Sequence, residues 1–313
     1  MLTSAEETGH LVPAVIGELT LRGPAGEPVD FRRTLRSHGV ALLPPNRIDP
    51  APWALETTLA TSGGMARTVR LVEAAPGVAA LATIGGAVEA TEAKRLLAVT
   101  RRMLRLDDDL SHFYAIAATD PQLRWVTQGA GRMLRSPTVF EDVVKTICTT
   151  NCAWSSTERM VGALVEHLGP PDALGWHAFP GAEAMAAAGE GFYRDVARAG
   201  YRGEYLSSLA RQVADGRLDL ERLNAPEVAD QEAEACLLSL PGVGPYAAAH
   251  VMLTALGRYG LLVLDSWTRP AYARLCGRKA SDRTIQRRFR KYRGYGGLAF
   301  WLFITRDWID EPG

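Results

Sequence analysis

Residues 240–265 place a glycine-containing turn close to a carboxylate, a pairing that suggests chemistry on a nucleic acid. The turn reads LPGVGPY at residues 240–246, and Asp265 follows after one more helical pattern. Two glycines around an apolar residue, between two helical patterns, predict a tight hairpin with outward-facing N–H groups. Such a hairpin at the start of a helix can bind phosphate. A carboxylate beside the bound strand could then act on it.

Helix-start and helix-end signals support this placement of the hairpin. Pro226 and the acidic residues after it favour a helix start, and Pro245 suits the first turn of the second helix. Gly257 stands where that helix is expected to end. Asp265 precedes a further helical pattern at residues 267–276, so it is also well placed as an ordinary N-cap. From the residues alone, Asp265 is therefore either a helix cap or a reacting group.

The hairpin followed by the aspartate resembles the helix-hairpin-helix, Gly-Pro-Asp (HhH-GPD) signature of the base-excision DNA glycosylases. Other segments resemble the 8-oxoguanine glycosylases in the same order along the chain, over about the last two thirds of its length. These segments are LDDDL at 106–110, SPTVFE at 136–141, ICTTN at 147–151, FP at 179–180 and GYRGEY at 200–205. The resemblance extends to 3-methyladenine glycosylase II, and implies an enzyme of base excision repair that acts on a damaged base in double-stranded DNA.

The resemblance assigns the chemistry to Asp265. Cleavage of an N-glycosidic bond builds positive charge on the sugar, which a nearby carboxylate stabilises. Bifunctional members place a lysine two residues beyond the second hairpin glycine, but this chain has Tyr246, which cannot form a Schiff base. We therefore expect a monofunctional glycosylase that hydrolyses the bond and leaves an abasic site.

Two alternatives to this function stay open. One is a bifunctional 8-oxoguanine-type glycosylase/AP lyase that uses another lysine, for which Lys145 is the nearest candidate in sequence. The other is a non-catalytic HhH protein that binds DNA without changing it.

The resemblance also assigns residues that contact DNA. Asn151 matches the residue that 8-oxoguanine glycosylases insert toward the orphaned partner base, and Tyr201 and Arg202 match their wedge and base-reading pair. The alternative is that Tyr201 and Arg202 are ordinary surface residues at a helix start. The residues expected to hold the DNA backbone are Gly242, Val243, Gly244 and Tyr246.

An aromatic base pocket is predicted, and it departs from the 8-oxoguanine pattern. Phe300, His250 and Trp267 stand where those enzymes have glutamine, cysteine and histidine. Aromatic faces favour flat, electron-poor or cationic bases and so point to alkylated purines, whereas the orphan-base residues point to damaged guanine. The lesion therefore stays open, and core packing is the alternative role for each aromatic residue. The expected pocket residues are Tyr246, His250, Trp267, Phe300 and Trp301, near the backbone of His38 and Gly39.

The elements that must position these residues predict an α+β fold. Residues 1–105 are expected to form an N-terminal antiparallel sheet domain, which C-terminal helices could join, and residues 106–313 a mostly helical HhH-GPD core. Alternating patterns predict strands at 17–21, 53–59, 66–72 and 78–84, with a helix at 31–37. Segment 44–47 (PPNR) has no assignment. Helices are predicted at 92–104, 110–118, 139–150, 156–168, 182–188, 191–199, 205–215, 267–276, 284–292 and 298–308, besides the hairpin pair.

Composition narrows the class of protein further. The 313 residues include 35 basic and 35 acidic side chains, so the net charge is zero. A local basic face would still suffice for DNA, but indiscriminate electrostatic binding is not expected. No segment has the pattern of a membrane span or signal peptide, so we expect a cytoplasmic protein without a membrane partner. We also expect a monomer, because a single chain suffices for this chemistry.

No cofactor is expected from the four cysteines, Cys148, Cys152, Cys236 and Cys276, because their spacing matches no zinc or iron–sulfur pattern. The resemblance implies one inorganic partner instead. Hairpins of this superfamily commonly hold a monovalent cation through backbone carbonyls, here those of Leu240 and Val243.

Overall fold

The computed structural model describes residues 13–61 and 64–308, and it confirms the predicted α+β fold. An antiparallel five-stranded sheet near the N-terminus is followed by a helical region. The strands are β1 (Ala14–Thr20), β2 (Arg47–Pro50), β3 (Trp53–Ala60), β4 (Ala66–Ala75) and β5 (Val78–Ile84), in the order β1-β5-β4-β3-β2.

One face of the sheet carries the apolar core of the N-terminal part. Leu71 lies between Leu55 on β3 and Leu81 on β5 in the strand register, and all three are fully buried. Helix α2 (Ala90–Met103) packs Leu96 and Met103 into the same core. Leu55, Leu71 and Leu81 therefore lie on the face of the sheet that packs against a helix.

The unassigned segment 44–47 leads into an edge strand that the sequence pattern does not reveal. Among the described residues, strand β2 pairs only with β3, and Arg47 forms an ion pair with Glu56 across that pairing. Its sequence, RIDP, holds one aliphatic residue, too few for an alternating pattern to emerge. An edge position also tolerates Pro50, which has no N–H to donate to a second neighbour.

The helices reproduce the predicted elements with shifted ends. The largest shifts are four residues: the helix predicted for 298–308 ends at Ile304, and the first hairpin helix begins at Asp230 rather than at Pro226. The remaining helices are α1 (Phe31–Leu35), α3 (Ser111–Ala118), α4 (Val139–Thr149), α5 (Trp154–Leu168), α6 (Ala182–Ala187), α7 (Gly189–Gly191), α8 (Arg202–Ala214), α9 (Asp230–Ser239), α10 (Pro245–Thr254), α11 (Thr268–Cys276), α12 (Asp282–Phe289) and α13 (Gly296–Ile304).

Helix α10, the second helix of the hairpin, lies between two apolar cores. Val251 packs with the core built on α4, α5, α8 and α9, whereas Leu253 packs with the core of α3, α11, α12 and α13. A helix that is apolar all round is buried on every side. At its end, the buried Arg105 guanidinium donates to the carbonyl of Thr254 and so anchors α10 to the segment after α2.

The loop after α1 connects the sheet region with the helical region. Val40 and Leu43 on this loop are buried in the same core as α4, whereas Ala41 between them is buried in the core of the sheet region. The loop brings His38 to His250 on the hairpin's second helix. Within the described residues, no helix combines the length and the apolar character needed to cross a bilayer.

Candidate active site

The hairpin between α9 and α10 requires glycine at residue 242. Gly242 has φ +82°, in the left-handed region that other residues rarely adopt. A Cβ at this position would also lie 2.6 Å from Cδ2 of Tyr205 on α8. The turn closes with a hydrogen bond of 3.1 Å from the N–H of Val243 to the carbonyl of Leu240.

This closing bond corrects one predicted DNA contact. The N–H of Val243 is used inside the turn and its side chain is buried in the core, so Val243 offers no free amide to phosphate. The exposed Gly244 instead leads into α10, where Pro245 is in the first turn. The first N–H groups of a helix have no intrahelical acceptor, which leaves the amides of Tyr246 and Ala247 available beside Gly244.

Asp265 is held at the start of α11 by a reciprocal cap. Its Oδ1 accepts hydrogen bonds from the N–H groups of Trp267 (2.9 Å) and Thr268 (2.6 Å). Its own N–H donates to Oγ1 of Thr268 at 2.8 Å. The cap interpretation is therefore correct, yet it occupies one oxygen only. Across residues 13–61 and 64–308, Oδ2 of this half-buried carboxylate has no hydrogen-bond partner.

The Asp265 carboxylate acts electrostatically on two side chains of α10. Burial raises the pKa of Tyr246, and the negative charge of Asp265 raises it further. Burial lowers the pKa of His250 to about 4, and the same carboxylate opposes that shift. Asp265 therefore lies on the side of α10 that carries Tyr246 and His250, within electrostatic range of both.

Four of the predicted pocket residues form one aromatic cluster beside Asp265. The Tyr246 ring is stacked against His250, with centroids 6.0 Å apart and planes at 20°. His250 contacts Trp301 at 6.2 Å, and Trp301 contacts Trp267 at 5.9 Å. Trp267 is 41% exposed and lies at the open side, whereas Trp301 is buried and donates from Nε1 to the carbonyl of Ser37.

The prediction for Phe300 is wrong. Its side chain has no exposed surface and packs against Phe289 and Tyr272 in the core of α11–α13. Successive helical residues point about 100° apart, so Phe300 and Trp301 cannot face the same side of α13. The helical pattern alone did not reveal which face of this wholly apolar helix meets the site.

Two further ring side chains join the cluster, and the sequence analysis predicted no role for either side chain. Trp308 contacts Trp267 at 5.3 Å and Trp301 at 5.8 Å. Trp308 lies beyond the end of α13 at Ile304, so helical spacing does not place it beside Trp301, and only the tertiary fold brings it to the cluster. The imidazole of His38 meets that of His250 edge-on at 5.6 Å. Only the resemblance had placed residues 38–39 near the lesion, and only by their backbone.

Asn151 and Tyr201 are both at the surface, on neighbouring loops. Asn151 is exposed just after α4 and has φ +47°, a left-handed conformation that asparagine tolerates. Tyr201 is 51% exposed and precedes α8, and its ring meets Tyr205 at 5.7 Å. Because Tyr205 also packs against Gly242, the Tyr201 side chain is connected by packing to the hairpin.

Arg202 does not reach the surface as a base-reading residue would. It is 7% exposed, and its Nε and Nη2 both donate to the carbonyl of Thr150, with Nε at 2.9 Å. Its guanidinium also lies 4.6 Å from the ring centroid of Tyr201. The end of α4 leaves the Thr150 carbonyl without a helical donor, and Arg202 supplies one. It thus connects the loops of Asn151 and Tyr201.

Lys145, the lysine named as a candidate for a lyase role, is withdrawn from any substrate. Its side chain has no exposed surface, and its Nζ lies 2.7 Å from Oε1 of Glu141 one turn earlier on α4. Among the described residues, no group of three or more His, Cys, Asp or Glu side chains is arranged to hold a metal ion.

Comparison with known proteins finds relatives among the DNA glycosylases. No family model matches the chain. The N-glycosylase/DNA lyase OGG1 of Arabidopsis thaliana is 31% identical over 144 residues, 44% of this chain and 39% of the relative. The DNA-3-methyladenine glycosylase of Bacillus subtilis is 26% identical over 176 residues, 54% of this chain and 57% of the relative. The chain thus spans only about two fifths to three fifths of the length of these relatives.

A solved structure extends the similarity to nearly the whole chain. The 3-methyladenine DNA-glycosylase of Archaeoglobus fulgidus has a TM-score of 0.72 and 21% identity, and covers 92% of this chain and 98% of its own. The protein therefore has the DNA glycosylase fold, and its sequence is related both to OGG1-type N-glycosylase/DNA lyases and to 3-methyladenine glycosylases.

Proposed function

We propose that the protein is a monofunctional DNA glycosylase, which hydrolyses the N-glycosidic bond of a damaged base extruded from duplex DNA. The observation that carries this proposal is the Asp265 carboxylate. The amides of α11 hold one of its oxygens, and the other is free beside an aromatic cluster on the hairpin's second helix. A non-catalytic DNA-binding hairpin needs the phosphate-binding amides but not this carboxylate.

In the proposed reaction, the N–H groups at Gly244 and the start of α10 bind a phosphate of the damaged strand. The base enters the aromatic cluster, and its sugar comes to rest beside Oδ2 of Asp265. As the bond to the base breaks, the carboxylate stabilises the positive charge on the sugar and orients the attacking water. Asn151 and Tyr201 occupy the space that the extruded nucleotide leaves in the stack.

Two observations support hydrolysis without strand cleavage. The residue two beyond Gly244 is Tyr246, whose phenol cannot form an imine with the sugar. Lys145 is buried and ion-paired, so its amine is unavailable. The sequence relatives include proteins of both kinds, so the residues of this chain must distinguish the two functions.

We propose that the protein acts on DNA as a monomer without an organic cofactor, because the chain itself supplies every group that this reaction uses. We also propose that it acts in the cytoplasm. A monovalent cation at the Leu240 and Val243 carbonyls would add positive charge near the bound phosphate. The Leu240 carbonyl already accepts the N–H of Val243. It retains a second lone pair for such an ion.

A panel of duplexes tests the function. Single 8-oxoguanine, hypoxanthine, uracil and alkylpurine lesions are incubated with the protein, and abasic sites are scored by alkaline cleavage. We expect release of at least one base by the wild type and a loss on the order of a hundredfold or more in Asp265→Asn. The variant should bind the same duplex with unchanged affinity, because asparagine keeps the capping oxygen.

Three outcomes would contradict the proposal in different ways. Equal base release by Asp265→Asn would remove Asp265 from the chemistry. Duplex binding without release of any base would leave a non-catalytic DNA-binding protein. Strand nicking without alkali, or a borohydride-trapped covalent complex, would identify a bifunctional glycosylase/lyase.

A further inference from the structure

The histidine pair behind Tyr246 has ring nitrogens without hydrogen-bond partners. His250 is 4% exposed, and both its Nδ1 and its Nε2 are buried and unpartnered in the described structure. His38 is 1% exposed, and its Nδ1 is buried and unpartnered as well. An unsatisfied buried polar atom is destabilising, because it has lost its hydrogen bonds to water without gaining others. Three such atoms on two contacting rings need a physical explanation, and a ligand that hydrogen-bonds to them would supply one.

The tautomer of His38 follows from its one hydrogen bond. Its Nε2 lies 2.7 Å from the backbone carbonyl of Leu134, which can only accept. Nε2 must therefore carry the proton, and Nδ1 of the neutral ring is a bare acceptor. His250 has no such constraint, so it offers one donor and one acceptor in either tautomer.

Both imidazoles stay neutral at ordinary working pH. Burial, together with the neighbouring His250, lowers the pKa of His38 to about 3. Burial lowers the pKa of His250 to about 4. A charged pair would repel a cationic base, whereas a neutral pair can only discriminate by hydrogen bonding. A bare acceptor attracts an N–H on a base and repels a bare ring nitrogen at the same place.

Access to the pair is through the aromatic cluster. Tyr246 covers His250 on one side, and the exposed Trp267 lies at the open side of the cluster. Separation of these two side chains would bring an extruded base against the imidazoles and, at the same time, its sugar beside Asp265. In this arrangement the pair would form the inner end of the proposed base pocket.

We propose that His38 and His250 select bases that present an N–H group to the inner end of the pocket, with Nδ1 of His38 as the acceptor. This inference rests on the proposed function for the entry of a base, and it names the substrate class. The class is damaged bases with a ring or exocyclic N–H at that edge, as distinct from bases with a bare nitrogen there.

Binding to uncleavable duplexes tests the selection apart from catalysis. The duplexes carry 2′-fluoro nucleotides in two matched pairs, hypoxanthine against unsubstituted purine and 8-oxoguanine against guanine. In each pair the first base presents an N–H where the second has a bare nitrogen. We expect the wild type to prefer the N–H member of at least one pair by roughly tenfold to a hundredfold. His38→Phe and His250→Phe should each reduce this preference to about twofold or less.

A control variant and a spectroscopic measurement complete the test. His177→Phe also removes an imidazole–carbonyl hydrogen bond, the one to Gly169, and should keep the preference. In ¹⁵N spectra of histidine-labelled wild type, the bare Nδ1 resonance of His38 should move upfield when the N–H base binds. This reading does not depend on whether the variants fold.

The possible outcomes separate the two proposals. No preference in the wild type for either pair, or an unmoved Nδ1 resonance, would overturn the role of the histidines. So would a preference that survives in His38→Phe, because that variant lacks the proposed acceptor. If natural duplexes release no base while the preference is present, the glycosylase proposal fails and the selection by histidine stands.

Discussion

Acidification should destabilise this protein through the two buried histidines, His38 and His250. Their pKa values lie at about 3 and about 4 in the folded chain, below the ordinary value of 6.5. An unfolded chain therefore binds protons below pH 6.5 that the folded chain does not. Because the free energy of unfolding rises with pH wherever the unfolded state holds more protons, stability must fall as the pH drops from 6.5 toward 4.

The loss of stability on acidification can be worked out from how far the two histidine pKa values are lowered. Between pH 7 and pH 5, each histidine should lower the free energy of unfolding by about 2 kcal/mol, and the pair by about 4 kcal/mol. Burial raises the pKa of Glu141 and Asp142, and these carboxyl groups contribute with the opposite sign on acidification. The test is therefore a comparison of the wild type with His250→Phe, in which one histidine no longer titrates.

Urea unfolding followed by circular dichroism at pH 7, 6 and 5 measures the difference. We expect the wild type to lose about 2 kcal/mol more than His250→Phe between pH 7 and pH 5. At pH 7 the variant should be as stable as the wild type or more stable, because phenylalanine removes two unpartnered nitrogens. The matched control is His112→Phe, at an exposed position, which should follow the wild type at every pH. Parallel stability curves for the wild type and His250→Phe would refute the reasoning.

Three further substitutions test the geometry of the site. Gly242→Ala should destabilise by more than the ~1–2 kcal/mol of a left-handed alanine, because its Cβ also meets Tyr205. The control Gly277→Ala (φ +69°, open space) should show the backbone penalty alone, and equal losses of unfolding free energy in urea would contradict this. Arg202→Ala should destabilise the protein by about 1.5–3 kcal/mol and speed amide hydrogen exchange in the loop after α4, whereas the control Arg159→Ala, at an exposed position, should do neither. Unchanged exchange in Arg202→Ala would argue against a role of Arg202 in positioning that loop. Asp265→Ala should destabilise the protein by about 0.5–2 kcal/mol in thermal unfolding, because the helix cap is lost, whereas Asp265→Asn keeps the cap and should not. Equal stability of the two variants would show that the cap contributes nothing.

Local sequence determined the elements and the turn that organises the site. Alternating patterns located four of the five strands, because each of those strands has one buried face. Gly242, Pro245 and Gly257 located the hairpin and the end of α10, since the requirements of a left-handed turn and a helix start are properties of single residues. The edge strand β2 escaped, because an exposed edge leaves little apolar signal.

Tertiary packing decided which of the named residues share a surface. Phe300 and Trp301 are neighbours in an apolar helix, and only the packing of α13 shows that the first faces the core and the second the site. Arg202 is turned inward because the end of α4 leaves a carbonyl that needs a donor, a demand made 52 residues away in sequence. His38 meets His250 through a loop from the sheet region, and no local pattern encodes a contact over that separation.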